Sequence, residues 1–263
     1  MRLVRSFREI LPEVPTVCCI GAFDGVHRGH QHLIGSAVHE AHRRRMRSAV
    51  LTFFPHPRAV LGRTQERYLT LPDEKAVRIA ALDVDVLMIH EFTAETIHTR
   101  AEEFIESMQS AFDLRSLWAG PDFAFGYRRE GTIAWLKDAG VRRGFDVHVA
   151  EPFMAAGRPV SSSRVREALL RGDMDEVTSC LGRPYSLTCR IRTAPGHAGV
   201  TPRAAQGTPV ILEGRQWWPS DGEYVVTING DSNRLVLENG GSNASLKKSV
   251  DGESINELQI DFA

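Results

Sequence analysis

The chain has 263 residues, 42% hydrophobic and 25% charged, with a formal net charge of −1. That length admits two domains and a sizeable core, and 32 basic against 33 acidic residues argues against a nucleic-acid binder. No apolar run reaches the roughly 18–20 residues that cross a bilayer, Met1–Arg5 leads into no signal core, and four cysteines lacking C-x-x-C spacing suit reduced thiols in the cytoplasm.

In chain order, Val17-Cys18-Cys19-Ile20 is a short apolar strand ending at Gly21. Leu33, Ile34, Ala37, Val38 and Ala41 then recur at helical spacing, and Arg43-Arg44-Arg45-Met46-Arg47 lies at that helix's C-terminal end, where cations complement the dipole. Ala49–Phe54 reads as a strand stopped by Pro55 and Pro57. A helix is expected over 72–82 and a buried strand over Val84–Ile89, and Thr99-Arg100-Ala101-Glu102 is a capping-box pattern opening a helix to about Ala111. A strand near Leu117 leads into a glycine- and aromatic-rich loop at 120–131. A helix, the strand Val147–Val149 and two short helices follow, the second starting at Asp173. Strands separated by helices predict an α/β architecture, a Rossmann-like doubly wound parallel sheet covered on both faces.

The texture changes near Pro184. Ser186–Arg192, Val210–Glu213, Glu223–Asn229, Arg234–Glu238 and Glu257–Phe262 are short alternating segments separated by turns such as Asn229-Gly230, Asn239-Gly240-Gly241 and Asp251-Gly252. They predict a small antiparallel β-barrel domain at 185–263 following an α/β domain at 1–184, with Gly196–Gly207 as a mobile loop.

The chemistry concentrates in Gly21-Ala22-Phe23-Asp24-Gly25-Val26-His27-Arg28-Gly29-His30, between the first strand and the first long helix. Ligands of open parallel sheets settle at the carboxyl ends of strands, and a helix N-terminus offers N–H groups to an anion. Gly21, Gly25 and Gly29 allow close backbone approach to phosphate, and His27 and His30 can project from one side of the first turn. The competing readings are a partial metal site, for which no second ligand cluster with zinc-like spacing exists, and ordinary surface histidines. Three glycines in a strand–loop–helix context favour nucleotide binding.

This stretch resembles the H-x-G-H signature of the nucleotidyltransferase superfamily. In its longer form, G-x-F-D-G-V-H-x-G-H, it is similar to the adenylyltransferase module of the bacterial bifunctional riboflavin kinase/FMN adenylyltransferase (FAD synthetase) family. Thr52-Phe53-Phe54-Pro55-His56-Pro57 resembles that family's T-F-x-P-H-P, and Gly120-Pro121-Asp122-Phe123-Ala124-Phe125-Gly126 its G-x-D-F-x-F-G, with Gly131 beyond it. Ser161-Ser162-Ser163-Arg164-Val165-Arg166 is similar to S-S-T-R-I-R, with serine for threonine. The resemblance implies a nucleotidyltransferase fold and transfer of AMP from ATP to the phosphate of FMN. It implies catalytic roles for His27, His30 and Arg164, and nucleotide contacts at Gly21, Phe23, Asp24, Gly25, Gly29, Ser162, Ser163 and Arg166. Flavin contacts fall to Pro55, His56, Pro57, Asp122, Phe123 and Phe125. Phe123 and Phe125, two apart, could share a face that stacks on a flat ring or could be core residues; Ser161 or Ser162 could serve as a helix cap. Mg²⁺ is expected to arrive with ATP, held by its phosphates and water without dedicated protein ligands.

The barrel departs from the family. Tyr185-Ser186-Leu187-Thr188-Cys189 resembles the opening of the kinase domain, with Cys189 where the family has glycine, and Pro219–Val226 resembles its P-x-D-G-V-Y strand. Between them lies Gly199-Val200-Thr201-Pro202-Arg203-Ala204 and no P-T-A-N, and a later N-I-G-type stretch and a C-terminal helix are missing. Loss of riboflavin kinase activity is therefore expected. Nucleotidyl transfer, from ATP or CTP, to another phosphorylated acceptor such as a flavin analogue is a second reading, and a non-catalytic flavin-nucleotide binding protein a third.

Overall fold

A computed structural model of the chain describes residues 1–10, 13–56, 60, 67–93, 96–193, 208–213, 215–228, 230–238, 243–246 and 257–262. These residues form two compact units, one of residues 1–66 and 72–159, the other of 67–71 and 160–263.

The first unit is built on six parallel strands: β1 (Arg2–Val4), β2 (Thr16–Ile20), β3 (Arg47–Phe54), β4 (Val86–Glu91), β5 (Leu114–Ala119) and β6 (Asp146–Val149), ordered β1-β4-β3-β2-β5-β6. Helices α1 (Arg28–Arg44), α2 (Pro72–Ala80), α3 (Ala101–Phe112) and α4 (Ile133–Arg143) connect them. Residues alternate between the two faces. Val17 and Cys19 of β2 pack with Leu33, Ile34 and Ala37 of α1, whereas Cys18 and Ile20 pack with Phe104 and Ile105 of α3 and Leu136 of α4. Adjacent Cys18 and Cys19 thus face opposite layers, and all four cysteines are free and buried. Burial pushes the Cys18 thiol up to about 12. The unit ends in a small hairpin, β7 (Met154–Ala155) with β8 (Arg158–Pro159). That hairpin and the three-residue edge strand β1 escape the sequence pattern because neither is long enough to show a period.

The capping box expected at Thr99 does not form. Helix α3 begins at Ala101 with Arg100 as its N-cap residue, which gives no side-chain cap bond. The Ala101 N–H donates instead to Glu130 Oε1 at 2.8 Å, a carboxylate that also accepts from Arg100 Nε at 2.7 Å.

The second unit contains α5 (Ser162–Arg171), α6 (Met174–Leu181) and a closed antiparallel barrel. Its strands are β9 (Tyr185–Thr193), β10 (Thr208–Glu213), β11 (Gly222–Ile228), β12 (Asp231–Glu238), β13 (Asn243–Leu246) and β14 (Glu257–Phe262), ordered β10-β13-β12-β11-β14-β9 and closed by β9 on β10. Tyr185, Leu187, Val226, Ile228, Leu235, Leu237, Ile260 and Phe262 are buried at alternate positions. The unit begins earlier than the change of texture at 184, because the two helices pack with the barrel: the Ser220 N–H donates to the Leu169 carbonyl at 2.9 Å. Residues 67–71 belong to it as well. Buried Gln216 donates to the carbonyls of Leu69 and Ser186, each at 3.2 Å, and accepts from the Thr188 N–H at 2.7 Å. The expected loop 196–207, Asn229 and the turns at 239–241 and 251–252 lie outside the described residues. No helix among the described residues is long and apolar enough to cross a membrane.

Candidate active site

Strand β2 is where the sheet order reverses: the chain proceeds to β3 and β4 on one side and, later, to β5 and β6 on the other. Such a switch point opens a crevice at the carboxyl ends of the strands. Three of the expected motifs leave neighbouring strands at that end: Gly21–His30 after β2, Pro55-His56 after β3, and Asp122–Gly126 after β5. Pro57 lies outside the described residues.

The loop after β2 is fixed from below. The Gly21 N–H donates to the Leu51 carbonyl at 3.1 Å, and the Thr52 hydroxyl donates to the Ala22 carbonyl at 2.9 Å. Phe23 (φ 48°), Gly25 (φ 87°) and Val26 (φ 39°) then take left-handed conformations. At Gly25 this suits a residue without Cβ. At Phe23 and Val26 it is a strained turn, held because both side chains are buried in the α1 layer, each at 1% exposure.

His27 is the N-cap of α1. Its Nδ1 accepts from the His30 N–H at 3.3 Å, so the neutral ring carries its proton on Nε2, a donor. The His30 ring stacks on His27 with centroids 3.6 Å apart and planes 19° apart, and meets Phe23 edge-on at 5.2 Å. His27 and Asp24 are buried, His30 and Gly29 half-buried and Arg28 exposed, its guanidinium 4.6 Å from the Phe153 ring centroid. Two imidazoles and the N–H groups of one helix end form a cluster of hydrogen-bond donors suited to phosphate oxygens.

Sequence reasoning missed Lys75. It lies on α2 with only 4% exposure, and its Nζ donates to the Ala22 carbonyl at 2.8 Å and approaches Thr52 Oγ1 at 3.5 Å. Burial lowers its pKa from 10.5 to about 8, against the favourable charge of Asp24. The signal was available: Lys75 stands four residues before Ile79, on the face of the predicted helix that should be apolar.

The aromatic loop divides its two phenylalanines. Their rings stack on each other at 5.6 Å, but Phe125 is a core residue against Phe104 and Trp135, whereas Phe123 is half-buried and Asp122 exposed. Gly131 pairs with Phe125 so closely that a Cβ there would sit 2.6 Å from the Phe125 ring. Pro55 and His56 are half-buried, and the Phe54–Pro55 peptide is cis.

Ser162, Ser163, Arg164 and Arg166 belong to the second unit. The cap is Ser161, whose Oγ accepts from the Arg164 N–H at 3.2 Å. Arg164, expected as a catalytic cation, is 6% exposed, and its Nε donates to Glu176 Oε1 at 2.8 Å, tying α5 to α6. Arg166 is half-buried and Ser163 exposed. Among the described residues, Glu40, Asp146 and His148 are the one group spaced to hold a metal, but Arg44 already bridges Glu40 at 2.6 Å and Asp146 at 3.2 Å.

The family model described as FAD synthetase matches residues 12–164. The bifunctional riboflavin kinase/FMN adenylyltransferase of Pseudomonas fluorescens is 31% identical over 271 residues, covering 100% of this chain and 84% of that protein. The protein of that name from Listeria monocytogenes is 34% identical over 176 residues, 66% of this chain but only 56% of the relative's length. A solved structure titled macrolide-efflux protein, from Streptococcus pneumoniae, superposes with a TM-score of 0.79 over 99% of this chain and 88% of that one. At 20% identity that likeness concerns the fold alone.

Proposed function

This chain belongs to the FAD synthetase family, and on that premise we propose that it transfers the adenylyl group of ATP to the phosphate of FMN, giving FAD and pyrophosphate. The observation that carries the reading is the stacked His27–His30 pair at the start of α1, at the switch point of a parallel sheet. A phosphate oxygen of FMN attacks the α-phosphorus of ATP in line. The new O–P bond forms as the bond to the β-phosphate oxygen breaks, and pyrophosphate leaves. The nucleophile is already an anion, so orientation and neutralisation of oxygens do the work.

His27 and His30 donate to the phosphates, with the N–H groups of α1 and the backbone at Gly21, Gly25 and Gly29. The pairing with Glu176 supports a structural role for Arg164 within the second unit. His56, Asp122 and Phe123 face the flavin, and Phe125 supports Phe123 from the core. Mg²⁺ enters as the MgATP substrate. The carboxylate of this loop, Asp24, is buried beside Lys75, which fits a metal carried by phosphates and water. Free, buried cysteines suit a reducing, cytoplasmic setting.

We further propose that the chain does not phosphorylate riboflavin, since no P-T-A-N stretch occurs between Tyr185 and Tyr224. Purified full-length protein with Mg²⁺ and ATP is offered riboflavin, FMN or neither, and products are separated by chromatography. FAD from FMN alone is expected. No FAD from FMN overturns the first proposal, and flavin-dependent ADP from riboflavin overturns the second.

A further inference from the structure

We propose that Lys75 is a positioning residue for adenylyl transfer, its ammonium and the Thr52 hydroxyl together clamping the Ala22 carbonyl and thereby the turn that sets His27 and His30 at the start of α1. The inference rests on the adenylyltransferase reading above.

A carbonyl oxygen has two lone pairs, and Ala22 receives two side-chain donors: Lys75 Nζ at 2.8 Å from α2 and Thr52 Oγ1 at 2.9 Å from β3. Two separate elements therefore converge on one backbone atom. That atom immediately precedes Phe23, whose φ of 48° opens the strained turn, and Val26, at 39°, closes it. Left-handed conformations at a bulky and a β-branched residue persist only where the surroundings over-determine them. Packing alone does not call for a lysine. Its position four residues before Ile79 lies in the apolar layer, where an uncharged chain of similar length would fill the space without desolvating an ammonium. Asp24, buried in the same turn, is the charge that acts favourably on it. Lys75 is too buried to meet substrate and acts through the backbone it holds.

The test compares wild type, Lys75→Met and Thr52→Val, each corrected for active sites by calorimetric titration with MgATP. Misplacement of reacting groups by about an ångström can lower rates on the order of a hundredfold. The expected result for Lys75→Met is a kcat per ATP-binding site lower by about ten- to a hundredfold, with the KM for FMN within about threefold. Thr52→Val, which keeps one of the two donors, should show a smaller loss of the same kind. A kcat per site within twofold of wild type in Lys75→Met overturns the proposal, because a merely structural lysine would change only the fraction of folded protein. If Lys75→Met does not fold, Thr52→Val decides: unchanged kcat per site overturns the clamp. Absence of FAD formation by wild type defeats the functional reading itself, a result distinct from an active wild type with an equally active Lys75→Met.

Discussion

His27 and His30 share a stack but differ in what each holds up. His27 is 4% exposed and its Nδ1 accepts the His30 N–H as the cap of α1, whereas the half-buried His30 ring stacks on His27 and enters that cap only through its backbone N–H. His30→Ala should therefore lower kcat on the order of a hundredfold, as removal of a transition-state donor does, while ATP affinity falls much less. Equal losses in kcat and affinity would contradict that role. His27→Ala should in addition lose about 1 kcal/mol of stability with the cap, and His27→Asn, which can still cap, should recover it while remaining slow. Denaturant titration of the three variants separates the two effects. Lys75 makes a different signal. Its folded-state pKa, about 8, lies below the ordinary 10.5, so between those values the unfolded chain binds the proton more tightly than the folded one. Stability should rise with pH across that window by up to about 3 kcal/mol, the burial penalty being fully present below pH 8 and gone above 10.5. The measurement is the urea midpoint of wild type against Lys75→Met from about pH 7.5 to 9.5. Parallel curves would show that the ammonium is not desolvated.

At the level of elements, the helices show what local sequence can and cannot specify. Asp173 caps α6 through its Oδ1 and the Glu176 N–H at 2.9 Å, as its position before a helical period predicts. Helix α3 carries an equally good local pattern at Thr99, yet its first N–H is taken by Glu130, twenty-nine positions away. A pattern four residues long cannot register that partner, and the Tyr127 N–H claims the Thr99 carbonyl for the aromatic loop at 2.8 Å. The same limit hid the partner of Arg164. Serines and arginines beside a helix start read as an anion cradle, but the Nε partner of Arg164 is Glu176 on the next helix, and Arg171 joins the same carboxylate. With Arg164 at 6% and Glu176 at 15% side-chain exposure, the pair is largely withdrawn from water. Glu176→Ala should therefore destabilise the protein by about 3 kcal/mol or more, because it leaves a buried guanidinium without its carboxylate. A loss below about 1 kcal/mol would instead class the pair with ordinary surface bridges.

Over the whole molecule, the parallel sheet was legible because its strands are continuous apolar runs between amphipathic helices, and the barrel because its strands are short and alternating, as where Tyr185, Leu187 and Cys189 are separated by Ser186 and Thr188. The loop at 21–30 was legible because its glycines and histidines are close in sequence; Lys75, which serves that loop from 53 positions beyond Ala22, was not. The division into packing units was hidden for the same reason, since it rests on contacts between distant segments. Val165, Leu169, Val177 and Leu181 of α5 and α6 are at most 1% exposed. Residues 67–71 are tied to 215–217 by the Tyr68 N–H to Arg215 carbonyl bond and the Trp217 N–H to Tyr68 carbonyl bond, each 2.9 Å. A chain cut at 184, where the texture changes, would keep both helices and 67–71 but remove Gln216, Trp217 and Ser220. Buried backbone groups of Tyr68, Leu69 and Leu169 would lose partners, and apolar side chains would gain water. The 1–184 fragment should melt well below the full chain and aggregate when concentrated, whereas the full chain stays dispersed. Cooperative melting of the fragment at the full-chain temperature, by circular dichroism, would show that α5 and α6 do not need the barrel.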